Sequence, residues 1–443
     1  MNKILLKNYH LFDPSEKLNY FGDLLIQDDK IKQISPSIEL SDIKIINGNG
    51  KLLIPGLIDF HVHYRDPGET YKEDIKTGSE ASLKGGFTTV IMMANTNPTM
   101  DNLSAISDQK KIIDQNSRIR ILQTSSVTIG RKGKELVDID LLSKNGIVSF
   151  SDDGDVISDP KILHKALTLA NKNNRTVLEH CEEHDLVKDG SINEGSVSIR
   201  LGLKPRPKDA EIACVKRDID LAKKNNLWIY LQHISCKESI DLIRNAKNQG
   251  VKVTSEVTPH HLFMNEFWSY GKKGEVPSWI DLSSYDTNTR VNPPLRSEID
   301  RISLIEAVND GTIDIIATDH APHSFGDKLN TFDSAMAGIN GAETALITLL
   351  ELVDRKEIDL EKIIKTMCNN PGEILNNILN LNIGKIKKDY KADLVVIDNN
   401  DQTKIDDDFF VSKSSNSPLL GSNMKGKIKM TFFDGKLLFE DKE

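Results

Sequence analysis

The sequence predicts an α/β fold: a (β/α)8 TIM barrel over residues 54–383 with a small β-sandwich-like domain formed by both termini, residues 1–53 and 384–443. Three observations lead there. Short β-branched runs alternate with longer helix-like stretches through the middle of the chain. Five of the eight runs put His or Asp where a barrel mouth would lie. The two ends carry only short strands and turns.

Composition bounds the reading. The 443 residues are 38% hydrophobic and 28% charged, enough apolar material for a large core and too much for a disordered chain. Apolar runs such as Leu52–Ile58 and Val90–Ala94 fall far short of the roughly 20 residues that span a bilayer. With 57 Lys and Arg against 66 Asp and Glu, the formal charge is −9. A basic footprint for nucleic acid is therefore absent, and an anionic ligand needs a local cationic site. Cys181, Cys214, Cys236 and Cys368 form no CxxC pair and read as reduced, buried thiols. Met1–Pro14 lacks the apolar stretch of a secretory signal, so a cytoplasmic protein is expected.

At the N-terminus, Ile4–Leu6, Leu24–Gln27, Ile31–Ile34 and Lys44–Ile46 read as short strands. The barrel strands follow: Leu57–His63, Phe87–Asn95, Ile119–Val127, Gly146–Asp152, Thr176–Glu182, Leu227–Ser235, Lys252–His260 and Ile313–His320. Between them, Gly85-Gly86 should end a helix over Lys72–Lys84. Asp159-Pro160 places an N-cap and a first-turn proline before the helical spacing of Ile162, Leu163, Ala166, Leu167 and Ala170. Ser235 and Glu238 have capping-box spacing, and that helix should run to Gly250. Leu394–Ile397, Gly426–Phe433 and Lys436–Phe439 complete the terminal strands.

Active sites of such barrels gather at the C-terminal strand ends. The first strand ends in His61-Val62-His63, and residues i and i+2 of a strand point the same way. An HxH triplet alone is weak, since roughly 0.3 occur by chance in this composition. Position strengthens it. His180 and His233 end the fifth and sixth strands, Asp152-Asp153 the fourth and Asp319-His320 the eighth. These residue types are natural ligands of Zn²⁺. Spacing does not decide which of Asp152 and Asp153 faces the site, and Cys181 should point away from it. Arg65, two residues beyond His63, should reach the same mouth and suits a carboxylate.

Other residues read as structural. His260 and His261 should pack or hydrogen-bond, and His320 should support Asp319. His10, His164 and His184 fall on surface or helical segments, and Trp228, Trp268 and Trp279 on packing positions. Ser324–Gly338 is a long, glycine-containing loop and a candidate lid.

Several runs taken together resemble the amidohydrolase superfamily, and within it the bacterial type I dihydroorotases. They are Gly56–Gly68, Lys72–Gly78, Gly85–Thr88, Asn95–Pro98, Ser149–Gly154, Glu179–Glu182, Thr258–Leu262, Asn292–Arg296 and Ala317–His323. The resemblance implies that His61 and His63 bind one metal and His180 and His233 a second, with Asp153 bridging or ligating. It implies that Asp319 is both ligand and catalytic acid/base. It implies that Arg65, Asn95, Asn292 and His323 contact substrate and that the backbone at Ala337-Gly338 closes over it. The implied cofactor is one or two Zn²⁺, and the implied reaction is reversible cyclisation of N-carbamoyl-L-aspartate to L-dihydroorotate in pyrimidine biosynthesis. Asp319 would start ionised in hydrolysis and protonated in synthesis. A homodimer and association with aspartate transcarbamoylase are family-level expectations.

Two residues depart from the resemblance: Ala94 and Met336 stand where relatives usually have Pro. Dihydropyrimidinases, hydantoinases and allantoinases are the nearest alternatives, but many of them carry a carboxylated Lys at the fourth strand, where this sequence has Ser151-Asp152-Asp153. A non-catalytic assembly partner is a further alternative, though such paralogues lose metal ligands that are all present here.

Overall fold

The computed structural model describes residues 2–271 and 284–442. Its strands, in chain order, are β1 (Lys3–Asp13), β2 (Leu18–Gln27), β3 (Lys30–Ser35), β4 (Lys44–Asn47), β5 (Leu52–Pro55), β6 (Leu57–Val62), β7 (Phe87–Met92), β8 (Arg120–Ser125) and β9 (Ser149–Phe150). There follow β10 (Leu178–Glu179), β11 (Ile192–Asn193), β12 (Pro205–Arg206), β13 (Ile229–Leu231), β14 (Val253–Val257), β15 (Ile315–Ile316), β16 (Leu394–Ile405), β17 (Ser422–Phe433) and β18 (Lys436–Glu440).

Two parallel sheets, β6-β7-β8-β9 and β10-β13-β14-β15, form the barrel. Parallel bridges from Phe150 to Val177 and from Val62 to His320 close the ring. Each of the eight expected runs contains one of these strands. Alternate residues fill the barrel floor: Ile58 and Phe60, Ile91 and Met93, Ile315 and Ala317, with Tyr230, and with Leu375 and Ile383 beneath. Outward residues such as Leu57, Val90, Met92 and Ile316 join the core shared with the helices.

In β6 the pairing register slips between Asp59 and Val62. The slip changes which residues face inward. Ile58 and Phe60 belong to the floor, whereas Val62 packs outward and His61 and His63 turn to the mouth.

Both chain ends build one sheet, ordered β18-β17-β16-β5-β1-β2-β3 with β4 on β1. The ends meet where β16 runs antiparallel to β5, from Leu394 opposite Pro55 to Ile397 opposite Leu52. Leu6, Tyr9, Leu11, Leu24, Val396 and Phe432 form the core on this sheet.

The helix signals fare differently. Asp159 caps Pro160–Lys172 through the Lys161 N–H, with Pro160 in the first turn, as the sequence predicts. The helix before Gly85 is shorter than expected, Ile75–Lys84, because Asp74 and Thr77 close a capping box there. The Ser235–Glu238 box does not form. The helix Lys237–Asn248 starts after Cys236, and the buried Glu211 carboxylate accepts from the Ser235 and Cys236 N–H groups. Asp300 accepts the first helical N–H, that of Lys237, at 3.1 Å, so neighbouring helices serve this end, and Glu238 pairs with Lys208 instead.

Trp268 is buried, Trp228 donates its indole N–H to Thr254 Oγ1, and Trp279 lies outside the described residues. No helix among the described residues is long and apolar enough to cross a membrane.

Candidate active site

Six side chains converge at the mouth of the barrel. His61, His63 and Asp319 form one triad and Asp153, His180 and His233 another, with the donor atoms of each within 4.8 Å of one another. Asp153 joins them: its oxygens lie 3.4 Å from His61 Nε2, 3.4 Å from His63 Nε2 and 3.6 Å from His180 Nδ1. His63 Nε2 is 3.0 Å from Asp319 Oδ1, and His180 Nδ1 is 2.8 Å from His233 Nε2. All six are buried.

The structure separates the two adjacent aspartates. Asp152 turns away and accepts from the Val127 and Thr128 N–H groups and from Thr128 Oγ1, fixing the loop after β8. Asp153 faces the imidazoles. His233 and Asp319 have φ of 31° and 47°, and Arg65 has 59°. Three site residues are therefore held in the left-handed region, a cost that concentrates at functional sites.

Charge explains why the cluster suits a cation. Burial opposes protonation of His61, but Asp319, Asp153 and Glu256 outweigh it and hold its pKa well above the ordinary value. Burial likewise opposes protonation of His180, and Asp153 and Glu182 lift it to about 10. Burial would raise Asp153 and Asp319; the surrounding imidazoles hold both below the usual carboxylate range. His63 is lowered, because burial and the nearby Arg65 outweigh its carboxylates. Four imidazoles and two carboxylates form a nitrogen and oxygen donor set that fits Zn²⁺.

The sign of the pH dependence follows. The raised His61 and His180 stabilise the metal-free fold fully below about pH 6.5, and that contribution is lost as pH rises through their folded values. The depressed Asp153 and Asp319 stabilise it above about pH 4, and that contribution is lost at lower pH. Metal-free protein should therefore unfold at lower urea at about pH 9 than at about pH 6, and zinc should remove most of the difference. Equal midpoints for the metal-free protein would contradict this balance of charges.

Two side chains aim the HxH imidazoles. His61 Nδ1–H donates to Glu256 Oε1 at 2.9 Å, and Glu256 also accepts from Tyr230 OH at 2.6 Å and the His233 N–H at 3.2 Å. His63 Nδ1–H donates to Asn95 Oδ1 at 2.9 Å, while Asn95 Nδ2 reaches Asp153 Oδ2 at 3.2 Å. Both histidines thus keep Nε2 for the centre. Asp59 accepts from the His61 N–H and from Thr318, tying β6 to the segment that carries Asp319. Sequence reasoning missed Glu256 and Asp59. The available signal was a carboxylate inside a β-branched barrel run. Glu256→Gln should weaken zinc affinity about 10- to 100-fold in a chelator competition, and unchanged affinity would exclude an aiming role.

The remaining predicted residues surround this centre. Arg65 Nε donates to Pro322 O at 3.4 Å, and Nη2 stands 3.4 Å from His323 Nε2. Among the described residues, no carboxylate oxygen lies within 4.0 Å of its guanidinium. His323 Nε2–H donates to Ala337 O at 2.9 Å, and burial with Arg65 nearby keeps the ring neutral. Asn292 Nδ2 is 3.4 Å from His180 Nε2, and its Oδ1 is buried without a partner among the described residues. Gly338 has φ 149°, and a Cβ there would stand 2.8 Å from Ala321 O and 2.9 Å from the His323 ring.

The loop Ser324–Gly338 is anchored. Lys328 is buried, and its Nζ donates to Thr287 O, Arg290 O and Met336 O at 3.1, 3.3 and 2.8 Å. Burial pushes its pKa down to about 7. The Met336 N–H donates to Asp327 O, a bond that a proline there would lack.

His261 bridges Thr258 Oγ1 and Pro293 O, and His320 Nδ1 accepts the Ala342 N–H, both in supporting positions. Cys181 faces outward toward Cys214 and Asp218, and burial pushes its thiol up to about 11.

The chain matches the amidohydrolase family over residues 52–438. It is 40% identical over 441 residues to the dihydroorotase of Aquifex aeolicus, covering 100% of both chains. It is 40% identical over 440 residues to the dihydroorotase of Elusimicrobium minutum, covering 99% of this chain and 98% of the relative. The L-hydantoinase of Arthrobacter aurescens superposes with a TM-score of 0.85 at 22% identity, covering 100% of this chain and 97% of that one. The dihydropyrimidinase of Brevibacillus agri superposes at 0.84 and 21%, covering 100% and 96%. The structural likenesses carry the fold alone.

Proposed function

The chain belongs to the amidohydrolase family, among its dihydroorotases, and on that premise we propose that it interconverts L-dihydroorotate and N-carbamoyl-L-aspartate, adding or removing one water. The observation that carries this reading is Arg65. Its guanidinium feels the charges of Asp319 and Asp153 in the cluster and makes no ion pair within 4.0 Å among the described residues, as the site for an anionic cyclic amide requires.

We assign Zn²⁺ to the two triads, His61, His63 and Asp319 with Asp153, His180 and His233. Bound there, it supplies Lewis acidity, polarising an amide carbonyl and lowering the pKa of a water. The chain does the rest. Arg65 pairs with the ring carboxylate, and Asn292 and the Ala337-Gly338 backbone orient the ring amide and exclude water. Asn95, already bonded to His63 and Asp153, borders both the ligands and the substrate. Hydrolysis adds a water oxygen to the ring carbonyl carbon and breaks the ring C–N bond. Asp319 takes the proton of that water and delivers it to the departing ring nitrogen. Synthesis runs the same steps backward from protonated Asp319.

Hydantoins and dihydropyrimidines lack this carboxylate, and Asp153 stands where many of their hydrolases carry a lysine. A side-by-side assay tests the reading. Dihydroorotate should be opened at least about 100-fold more efficiently than hydantoin, dihydrouracil or allantoin. Preference for a neutral ring would overturn it.

A further inference from the structure

The C-terminal chain does not pass directly from β16 to β17. Between them, residues 411–417 dip into the barrel mouth. The Val411 and Ser412 N–H groups donate to the Glu343 carboxylate, and Ser414 Oγ donates to Lys72 O at 2.7 Å. Within this stretch stands Asn416, 6% exposed and 93 residues from His323 in sequence.

Both ends of its amide are used. Oδ1 accepts the His323 N–H at 3.0 Å; Nδ2 donates to Gly338 O at 3.1 Å and to Ala321 O at 3.3 Å. Its own carbonyl accepts the Asn340 N–H at 3.0 Å. The segments it joins are already paired once, through the Ala321 N–H and Ile339 O at 3.0 Å. Beyond that pair they diverge toward His323 and Ala337. The Asn416 amide fills the gap, and the His323 ring closes it again on Ala337 O at 2.9 Å. No other side chain of this size presents one acceptor and two donors in a plane.

We propose that Asn416 is a positioning residue for the substrate pocket, holding the His323 backbone and the Ala337-Gly338 turn in register. The inference rests on the functional reading above, which assigns those two elements to the substrate. Asn416 touches no reacting atom. It acts through the spacing of two walls, so its loss should weaken substrate binding more than turnover.

The test uses zinc-loaded full-length Asn416→Ala and Asn416→Asp, with Val411→Ala as a control on the same segment. Asp retains the acceptor for the His323 N–H and sets a carboxylate against two carbonyl oxygens, so it probes the donor half in a side chain of the same shape. Both Asn416 variants should raise KM for dihydroorotate about tenfold or more, with kcat within about threefold, unchanged zinc content and a wild-type control. Amide exchange should quicken at residues 320–323 and 337–340 in both. A merely structural residue would instead lower the active fraction, reducing apparent kcat at constant KM. Wild-type KM in either folded variant, or unchanged exchange, would overturn the proposal. Lack of dihydroorotate turnover by the wild-type protein would overturn the functional reading, and the exchange measurement would still test the clamp.

Discussion

Asp319→Asn should lower kcat for dihydroorotate by about 1,000-fold, within the range of about 100- to 10,000-fold for losing a general acid/base. Asparagine has the same shape and keeps an oxygen for the His63 side of the cluster, where Asp319 Oδ1 now lies 3.0 Å from Nε2. It cannot take a proton from the attacking water or return one to the ring nitrogen. Because Asp319 also belongs to a candidate metal triad, zinc content has to be measured with the rate. The predicted result is slow turnover in both directions from protein that still holds zinc at Asp153, His180 and His233. A zinc-replete variant within about tenfold of wild type would remove Asp319 from the proton path.

Arg65→Ala should raise KM for dihydroorotate by roughly 30- to 1,000-fold, the equivalent of about 2–4 kcal/mol for a desolvated arginine–carboxylate pair. The guanidinium is held by Pro322 O and lies beside His323, on a residue whose backbone φ is 59°. Arg65→Lys should recover only part of the loss, since an ammonium lacks the planar fork. Slow hydrolysis of uncharged cyclic amides should be unaffected. An affinity for dihydroorotate left nearly intact in Arg65→Ala would show that the carboxylate is bound elsewhere.

The barrel was legible because its strands lie in eight β-branched runs, several of them followed by a helix signal, and because His and Asp cluster where such runs end. The ladders are shorter than the runs. β9, β10 and β15 pair over two residues each, so regular pairing ends before the residues that form the site. Alternation holds over His61-Val62-His63, with both imidazoles at the mouth and Val62 outward, but not across the slip near Asp59, which puts Phe60 in the floor. It was silent on Asp152 against Asp153, a choice settled by the N–H groups of Val127 and Thr128.

The parts that stayed illegible depend on partners distant in sequence. Glu211 displaces the Ser235–Glu238 box, Glu256 reaches His61 across 195 positions, and Asn416 arrives from the stretch between β16 and β17. Local pattern carries no information about such pairs. It does carry the residue types, and a buried carboxylate or amide in an apolar run is the trace they leave.

The most direct test of the account is dihydroorotate turnover by metal-stripped protein during titration with Zn²⁺. Turnover should be absent at the start, rise in proportion to added zinc and level off at one or two equivalents per chain. Full activity without metal, or a zinc-saturated protein that leaves dihydroorotate intact, would contradict it.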